Sequence, residues 1–540
     1  MLRTRLYLWT FTRVAAWVAL GLGLSAWGAG GPPSVLVAPH SLPGADLFTN
    51  GAVEQIEIQI APGDVESLKR DPRQFVRATV SEAGRTYRNV AVHLKGSVGS
   101  FRPIDDKPGF TLDFERFAAG EAFHGLRRIH LNNSVEDPSY ANEHLGSELF
   151  RAAGVPAPRA GYALVRFNGR RLGLYVLKEG FTEDFLSGYF QHVGGELYEP
   201  ESGHDIDQHL KRNSARAPAG DRHALKALAA AAHVPDLARR WEQLDQTLDA
   251  QRFIAFMALE VMISHRDGYC LARNNFRVYH DLDSGRMVFL PHGMDQLFGI
   301  ADLSWKPSMA GLAARALRET TPGEQLYEQE FKDLFTNLFK PDVLTKRVDE
   351  LVLGLRPFVQ AEEFRNIRTE AGELKARIAQ RNHSLQLQLA QPGPRALEFS
   401  NGLVRLDAWK KRDEPAGGKM GRTITSDGVG ALYIATSSNS MASWRTERVL
   451  PRGHYRFEGR ARVNNVMPLP FGKHQGAALR VEGRSRDPGG LTGNSNWQPL
   501  GTDFEVAVDS QTIVFICELR ASSGETWFDS NSLQVSSIEH

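Results

Sequence analysis

Alternating hydrophobic and polar positions recur in the first third of the chain, and this alternation predicts β-strands. The predicted strands are residues 53–60, 89–94, 109–114, 162–167 and 173–177. The last two are joined by Asn168-Gly169, which is a strong β-hairpin signal. These segments predict a sheet-rich first region.

Later segments have apolar residues at helical spacing instead. We expect helices at residues 140–153, where Gly154 and Pro156 end the pattern, and at residues 251–264. Residues 201–247 are polar and then alanine-rich, which indicates a helical insertion, and long amphipathic helices are expected over roughly 324–390. A second hairpin is predicted at residues 275–280 and 286–290. Strands followed by helices indicate an α+β domain over residues 51–391.

The pattern changes near residues 392–400. From Ala396 onward, helix signals disappear and short alternating segments are separated by Gly, Asn, Ser and Asp turns. About 140 residues of this kind are typical of a β-sandwich or jelly roll. The predicted second domain is therefore an all-β sandwich over residues 396–540.

The first residues have the features of a secretory signal peptide. Arg3, Arg5 and Arg13 precede an apolar run over residues 14–24, and the small residues Ala26, Gly28 and Ala29 follow. We expect a signal peptide over residues 1–29, a linker over residues 30–50, and a mature protein exported to the periplasm, the envelope or the medium. An uncleaved anchor is the alternative, but the run is short for a membrane span of about 20 residues, so no stable span is expected after cleavage.

The composition is that of a globular protein, with 42% hydrophobic and 24% charged residues and a formal net charge of +1. This balance gives no reason to expect a nucleic-acid partner, because such proteins usually carry a basic face. The two cysteines, Cys270 and Cys517, are expected in different domains, and two buried thiols are favoured over a disulfide.

The candidate catalytic and metal-binding residues are concentrated in one segment, Ser264-His265-Arg266-Asp267-Gly268-Tyr269. Asn274 and Asn275 lie just beyond it, and Asp295 lies further on. Magnesium prefers oxygen ligands, usually one or two carboxylates with substrate phosphates and water. Two aspartates and a carboxamide pair are what a site needs to orient a hydroxyl and hold a metal against phosphate oxygens. This pattern predicts a kinase-like centre.

Several ordered blocks of sequence resemble the spore-coat protein H (CotH) kinase-like family, over about 60% of the chain. The blocks are Leu94-Lys95-Gly96-Ser97, Lys107-Pro108-Gly109-Phe110, Leu131-Asn132-Asn133 with Asp137, Phe167-Asn168-Gly169, Gly173-Leu174-Tyr175 with Glu179, residues 265–269, Asn274-Asn275 and residues 295–299. The resemblance implies an atypical protein-kinase fold that uses ATP and magnesium, or manganese, to phosphorylate serine or threonine hydroxyls of a protein.

By the same resemblance, Lys107 would be catalytic and contact the nucleotide phosphates, with Glu143 as its ion-pair partner. Asp267 would orient the acceptor hydroxyl. Metal ligands would be Asp295, Asn275 and Asn274, and further nucleotide contacts would come from Lys95 and Glu179.

The chain departs from the kinase pattern in three places. Ordinary kinases have the metal-binding Asn five residues after the catalytic Asp, where this chain has Ala272. No glycine-rich phosphate-covering motif was identified, and Gly293 stands where many relatives have a second aspartate. A non-catalytic kinase-like surface protein is therefore the alternative. A glycan-acting enzyme is a weaker third interpretation, since no convincing carboxylate pair supports it.

Residues 396–540 look like a carbohydrate-binding β-sandwich module. The resemblance rests on Trp444, the strand near Tyr455, Trp497, residues 518–521 and residues 527–529. Trp444 and Trp497 are the predicted platforms for a cell-wall or extracellular polysaccharide. Trp527, within a short strand-like segment, is predicted to be part of the core.

Overall fold

A closed barrel of seven strands forms the first part of the chain in this computed structural model. The structure describes residues 42–49, 52–201, 203–212, 222–391, 396–413, 418–469, 475–482 and 490–538, without the side chains of residues 507–510. The barrel strands are β1 (Val53–Ile60), β2 (Val76–Glu82), β3 (Arg85–Lys95), β4 (Gly109–Asp113), β5 (Arg128–Asn132), β6 (Ala160–Phe167) and β7 (Arg170–Glu179). Helix α1 (Pro62–Arg70) follows β1, and helix α2 (Asn142–Ala152) lies between β5 and β6 in sequence.

Each predicted strand of the first region is present, but the closure of the barrel was not predicted. Successive strands pair in the order β1-β2-β3-β4-β5-β7-β6, and a parallel pairing of β1 with β6 closes the ring. The β6–β7 hairpin turns at Asn168 and Gly169, both with positive φ, as its sequence predicts. Alternate inward side chains such as Ile58, Val92 and Leu112 fill the interior.

The described part of the predicted linker packs against this barrel. Residues 45–48 form a short 3-10 helix, and Leu47 is buried in the barrel core cluster. The guanidinium of Arg159 donates a 2.5 Å hydrogen bond to the carbonyl of Pro43 and lies 4.6 Å from the centre of the Phe48 ring. The predicted signal peptide, residues 1–29, lies outside the described residues.

A helical region with a four-stranded sheet follows the barrel. Its strands are β8 (Leu197–Pro200), β9 (Leu210–Arg212), β10 (Phe276–His280) and β11 (Met287–Pro291), in the order β11-β10-β8-β9. Its helices are α3 (Glu183–Leu186), α4 (His223–Ala232), α5 (Leu237–Thr247), α6 (Ala250–Met262), α7 (Tyr269–Ala272), α8 (Leu312–Arg318), α9 (Thr321–Asn337), α10 (Pro341–Leu355) and α11 (Ala361–Leu389). The chain is thus mixed α+β.

The predicted insertion at residues 201–247 consists of β9, α4 and α5 in its described part. Leu225, Leu228 and Leu244 are buried in the same hydrophobic cluster as α6 and α9. The segment is therefore part of the main core. Among the described residues, no helix has the length and apolar content needed to cross a membrane.

The last part of the chain is all β. Its strands are β12 (Leu403–Arg405), β13 (Lys410–Arg412), β14 (Gly418–Ile424), β15 (Gly430–Thr436), β16 (Ser440–Pro468), β17 (Gly476–Val481), β18 (Gly493–Asp529) and β19 (Gln534–Ser537). The long strands β16 and β18 bend and pair with most of the others around a separate apolar cluster that includes Phe457, Phe515 and Phe528. Both cysteines are buried free thiols, as predicted.

The C-terminal end of α6 is held by a fully buried arginine. From α11, Arg381 donates hydrogen bonds to the carbonyls of Val261 (2.9 Å) and Met262 (3.0 Å) in the last turn of α6. The same guanidinium reaches the carbonyls of Ala301 (3.0 Å) and Leu303 (2.6 Å). A positive charge at the negative end of a helix is favourable, and this one also ties α6 to the loop after β11.

We expect Arg381→Met to lower the free energy of unfolding by about 3 kcal/mol, because four carbonyls, two of them in buried hydrogen bonds, lose a charged donor at once. Arg368→Met is the matched control, since Arg368 is exposed on the same helix. Chemical denaturation monitored by circular dichroism measures both variants. Equal stability of the two variants would contradict the assigned role of Arg381.

The buried carboxylate of Glu260 fixes the backbone at the start of α7. Glu260 accepts hydrogen bonds from the backbone N–H groups of Tyr269 (3.0 Å) and Cys270 (2.7 Å). Burial raises the pKa of Glu260 from 4.5 to about 7, although these hydrogen bonds oppose the shift. Residues 264–268 thus lie between two backbone contacts made by buried side chains, those of Glu260 and Arg381.

The raised pKa of Glu260 predicts a pH-dependent stability. The folded chain binds this proton more tightly than the unfolded chain, so the contribution is complete below about pH 4.5 and is lost as the pH rises through about 7. Relative to Glu260→Gln, the unfolding free energy of the wild type should fall by about 2–3 kcal/mol over that window. Denaturant titrations between pH 4.5 and 8 measure it, with exposed Glu242→Gln as control. Parallel curves for the wild type and Glu260→Gln would refute the assignment.

Candidate functional site

A buried ion pair lies where the barrel meets the helical region. Lys178, near the end of β7, donates from Nζ to Oε1 of Glu143 in the first turn of α2. The two side chains are 0% and 2% exposed. Nζ of Lys178 also lies 3.4 Å from Nδ1 of His292. An ion pair of this kind between a strand lysine and a helix glutamate is a required part of protein-kinase sites.

The predicted partner of Glu143 was Lys107, and that prediction is wrong. Nζ of Lys107 instead donates to the hydroxyl of Tyr140 at 2.9 Å and lies 5.1 Å from the centre of the Tyr175 ring. Burial lowers the pKa of Lys107 to about 8, and the negative charges acting on it are Glu363 and Asp106. Lys107 is therefore outside the group of charges around Glu143.

Sequence reasoning missed Lys178, although a signal was present. The residue ends the run Leu174-Tyr175-Val176-Leu177-Lys178, an apolar strand followed by lysine, as in the V-A-I-K motif of kinases. The neighbouring Glu179 was predicted to contact nucleotide. Its carboxylate instead binds Arg159 through a 2.6 Å and a 3.0 Å hydrogen bond, on the side where the N-terminal residues pack.

A second lysine faces the same charges. Lys95, at the end of β3, donates from Nζ to Oδ1 of Asn132. Burial and the positive charge of Lys178 lower the pKa of Lys95 to about 8, while Glu143 and Asp295 act in the opposite direction. The structure thus brings Lys95, Lys178, Glu143 and Asp295 into one electrostatic neighbourhood.

The segment after α6 presents Asp267 to solvent. Asn274 and Asn275 each donate from Nδ2 to Oδ2 of Asp267, at 3.0 and 2.8 Å. His265 is buried and its Nε2 lies 3.0 Å from the carbonyl of His292. Burial lowers the pKa of His265, so the ring is neutral and donates this hydrogen bond. His265 positions the loop, and Asp267 is the exposed carboxylate.

Asp295 lies in the loop that follows β11. Burial, together with the negative charges of Glu143 and Glu136, raises the pKa of Asp295 to about 7. Its backbone carbonyl accepts a 2.9 Å hydrogen bond from Nδ2 of Asn142. A carboxylate under this repulsion is stabilised by a nearby cation.

The oxygen atoms around Asp295 fit a magnesium or manganese ion. Oε2 of Glu143 and Oδ1 of Asn142 are buried and have no hydrogen-bond partner. The nitrogen of Asn275 faces Asp267, and its carbonyl oxygen faces Gly293. Among the described residues, no three His, Cys, Asp or Glu side chains converge as a metal site. One or two carboxylates with substrate oxygens would hold Mg²⁺, as is common for this ion.

In the all-β region after residue 396, the two predicted platforms differ. Trp444 is 2% exposed, and its Nε1 donates to the carbonyl of Tyr433 at 3.3 Å, so its ring belongs to the core and the prediction is corrected. Trp497 is half-buried and donates from Nε1 to Oδ2 of Asp427 at 2.8 Å. Trp527, predicted to be core, is half-buried as well.

Trp497 and Trp527 are part of a row of side chains on one sheet surface. Tyr433 of β15 is paired in register with Trp527 of β18, which is in turn opposite Arg462 of β16. The guanidinium of Arg462 lies 4.6 Å from the Trp527 ring centre and 5.2 Å from that of Trp497. The Tyr433 and Trp527 rings are 5.2 Å apart. We call these four residues the aromatic row.

Comparison with known proteins gives curated relatives of low identity. The chain is 23% identical to invasin CotH2 of Rhizopus delemar over 445 residues, 74% of this chain and 73% of the relative. It is 22% identical to the inner spore coat protein H of Bacillus subtilis over 269 residues, 46% of this chain and 73% of the relative. Both names agree with the resemblance seen in the sequence.

Solved structures give weak likenesses. The proinflammatory kinase CtkA of Helicobacter pylori has a TM-score of 0.23 at 10% identity and covers 52% of this chain and 95% of its own. TmCBM61, solved with β-1,4-galactotriose, has a TM-score of 0.19 at 15% identity and covers 26% of this chain and 92% of its own. Scores this low carry no argument about fold.

The family comparison is decisive. The family described as CotH kinase protein matches residues 92–385, more than half of the 540-residue chain. The match includes the ion pair, Lys95, Asp267, Asn275 and Asp295. The chain belongs to the CotH kinase protein family.

Proposed function

We propose that this chain is an exported kinase that transfers the γ-phosphate of ATP to serine or threonine hydroxyls of an envelope or extracellular protein. The observation that carries the proposal is the buried Lys178–Glu143 pair beside Asp295, with the exposed Asp267 nearby in the same family-matched region. Phosphoryl transfer depends mainly on positioning and on electrostatic stabilisation. The site offers both.

Each side chain has a role that follows from its surroundings. Lys178 is held by Glu143 and supplies positive charge to the phosphates, and Lys95 adds a second positive charge. Asp267, which is exposed and oriented by Asn274 and Asn275, accepts or orients the proton of the acceptor hydroxyl. Asp295 and Asn275 would hold Mg²⁺ or Mn²⁺, which neutralises charge on the phosphate oxygens.

We expect Asp267→Asn, Asp295→Asn and Lys178→Met each to reduce phosphate transfer by about 100-fold or more, as loss of a catalytic charge commonly does. The assay measures transfer from γ-labelled ATP to the chain itself or to a serine-rich substrate, with Mg²⁺ or Mn²⁺. Lys107→Met is the matched control and should keep activity within about 3-fold, because its charge acts outside the site.

Two results would refute the proposal. One is the absence of both nucleotide binding and transfer in the wild type; the other is equal activity of Asp267→Asn and the wild type. Because Asp267 is an exposed side chain, its substitution tests the chemistry without a folding defect. If Lys107→Met and Lys178→Met lose phosphate transfer equally, Lys107 contacts the phosphates, as first predicted.

A second function is favoured by the aromatic row. Half-exposed rings of Tyr433, Trp527 and Trp497 lie on one sheet surface, beside the polar groups of Asn464 and Glu525. Aromatic rings with a few polar side chains are what a sugar-binding surface requires. We infer that the sandwich binds a cell-wall or extracellular polysaccharide, whether or not the kinase-like domain is catalytic.

Trp497→Ala and Tyr433→Ala should each weaken polysaccharide binding by about 10-fold, since loss of one stacking ring costs roughly 1–2 kcal/mol. Affinity electrophoresis through gels containing galactan, xylan or β-glucan measures it. Met467→Ala, at an exposed position on β16, is the control. The inference fails if the wild type is not retarded by any of these polymers, or if both aromatic variants migrate like the control.

A further inference from the structure

Residues 42–49 lie against the barrel just before β1, and we call this segment the strap. Leu47 of the strap is buried in the barrel core cluster. A Cβ on Gly161 of β6 would lie 2.5 Å from the carbonyl oxygen of Leu47. A Cβ on Gly125, in the turn between β4 and β5, would lie 3.2 Å from Cβ of Pro43. The strap therefore packs directly on the backbone of the barrel at two glycines.

A histidine joins the strap to the barrel through both of its ring nitrogens. Nδ1 of His124 lies 2.5 Å from Oδ2 of Asp46 in the strap, and Nε2 lies 3.2 Å from Oε2 of Glu82 in β2. The backbone carbonyl of His124 also accepts a 2.6 Å hydrogen bond from the N–H of Gly44. A neutral imidazole has one N–H group, so only the protonated ring can donate to both carboxylates.

The surroundings of the ring favour its protonated form. Burial lowers the pKa of His124, but the hydrogen bonds and negative charges of Asp46 and Glu82 outweigh burial, and the pKa is raised. Burial and a hydrogen bond to Glu82 raise the pKa of Glu54 in β1. As the pH rises, ionisation of Glu54 adds negative charge near His124 and opposes loss of its proton. Two further charged groups, which act with Asp46 and Glu82 on the hydroxyl of Tyr87, are Arg85 and Glu121.

Loss of the proton from His124 affects the strap more than the barrel. The side chain of Glu82 is 7% exposed, whereas that of Asp46 is 65% exposed. A buried carboxylate without a donor is costly, while an exposed one is hydrated. The neutral ring therefore keeps its N–H group toward Glu82. Its unprotonated Nδ1 then faces the carboxylate of Asp46, and this contact between two acceptors is repulsive.

The strap also contacts a side chain that is bound to the strand of the candidate site. The guanidinium of Arg159 binds the carbonyl of Pro43 and lies beside the Phe48 ring. Its ion-pair partner is Glu179, the residue after Lys178 in β7. A loosened strap would remove both strap contacts of Arg159 and leave only the ion pair at this end of β7.

We propose that the strap is a pH-sensitive element, held on the barrel while His124 is protonated and loosened when this ring becomes neutral. Docking of the strap and protonation of His124 favour each other, because each strengthens the Asp46 contact. The contribution of the proton is complete below about pH 6.5 and is lost as the pH rises through the raised pKa of His124. The strap is therefore docked in mild acid and loosened in mild base.

Electron paramagnetic resonance of a nitroxide label on the strap tests the proposal in the full chain. Both native cysteines are buried, so Ala45→Cys provides a half-exposed labelling site. The ratio of mobile to immobile label should rise about 5-fold between roughly pH 5.5 and pH 8.5, as expected for loss of one partly exposed ion pair. Circular dichroism in the same buffers separates strap motion from global unfolding.

Three variants of the labelled chain identify the titrating contact. His124→Gln should give a mobile label at every pH. Asp46→Asn should remove the pH response, because an amide can pair with either form of the ring, and its exposed position leaves the barrel core unchanged. His233→Gln, at a 60% exposed histidine after α4, should respond like the wild type.

A label mobility that does not change with pH in the wild type would overturn the proposal. So would a wild-type pH response in Asp46→Asn, which decides the question even if His124→Gln does not fold. A response that is lost in Asp46→Asn and kept in His233→Gln supports the assignment.

Discussion

The buried ion pair of Lys178 and Glu143 is the constraint on which the rest of the site depends. Removing two charges from water costs several kcal/mol for each ion, and only close mutual contact with further hydrogen bonds offsets that cost. The pair therefore fixes the distance between strand β7 and helix α2. Since α2 begins with Asn142, which binds the backbone of Asp295, the same contact also positions the candidate metal loop.

The other loops are fixed by buried side chains that hydrogen-bond to the backbone. Arg381 binds four carbonyls, Glu260 binds two backbone N–H groups, and His265 binds the carbonyl of His292. The bonds of Arg381 and His265 join segments that are distant in sequence, whereas those of Glu260 fix the chain nine and ten residues further on. The segments that carry Asp267 and Asp295 are thus held by the fold.

Local pattern predicted much of this fold, because strand alternation, helical spacing and the Asn168-Gly169 turn are properties of neighbouring residues. The ordered family blocks led to the prediction that Asp267, Asn275 and Asp295 are site residues, and the structure joins Asn275 to Asp267 by a 2.8 Å hydrogen bond. The partner of Glu143 was predicted wrongly, because the tertiary fold and not the local pattern decides which lysine reaches α2: Lys178 lies on β7, whereas Lys107 lies before β4. That choice depends on the order of strands in the barrel, and its closure by β1 and β6 is a long-range pairing. Alternation likewise shows that Trp444 and Trp527 lie on strands, but not which face of each strand is covered.

Closure of the barrel also has a consequence for how the chain folds. Strand β1 ends at residue 60, and its parallel partner β6 begins at residue 160, so the first strand has one edge unpaired until about a hundred further residues are available. Contacts between residues this far apart in sequence cost loop-closure entropy before they contribute stability. This cost slows folding. An unpaired strand edge in that interval is a template for pairing with other chains. The barrel region, residues 53–179, is therefore exposed to misassociation before β6 and β7 are in place.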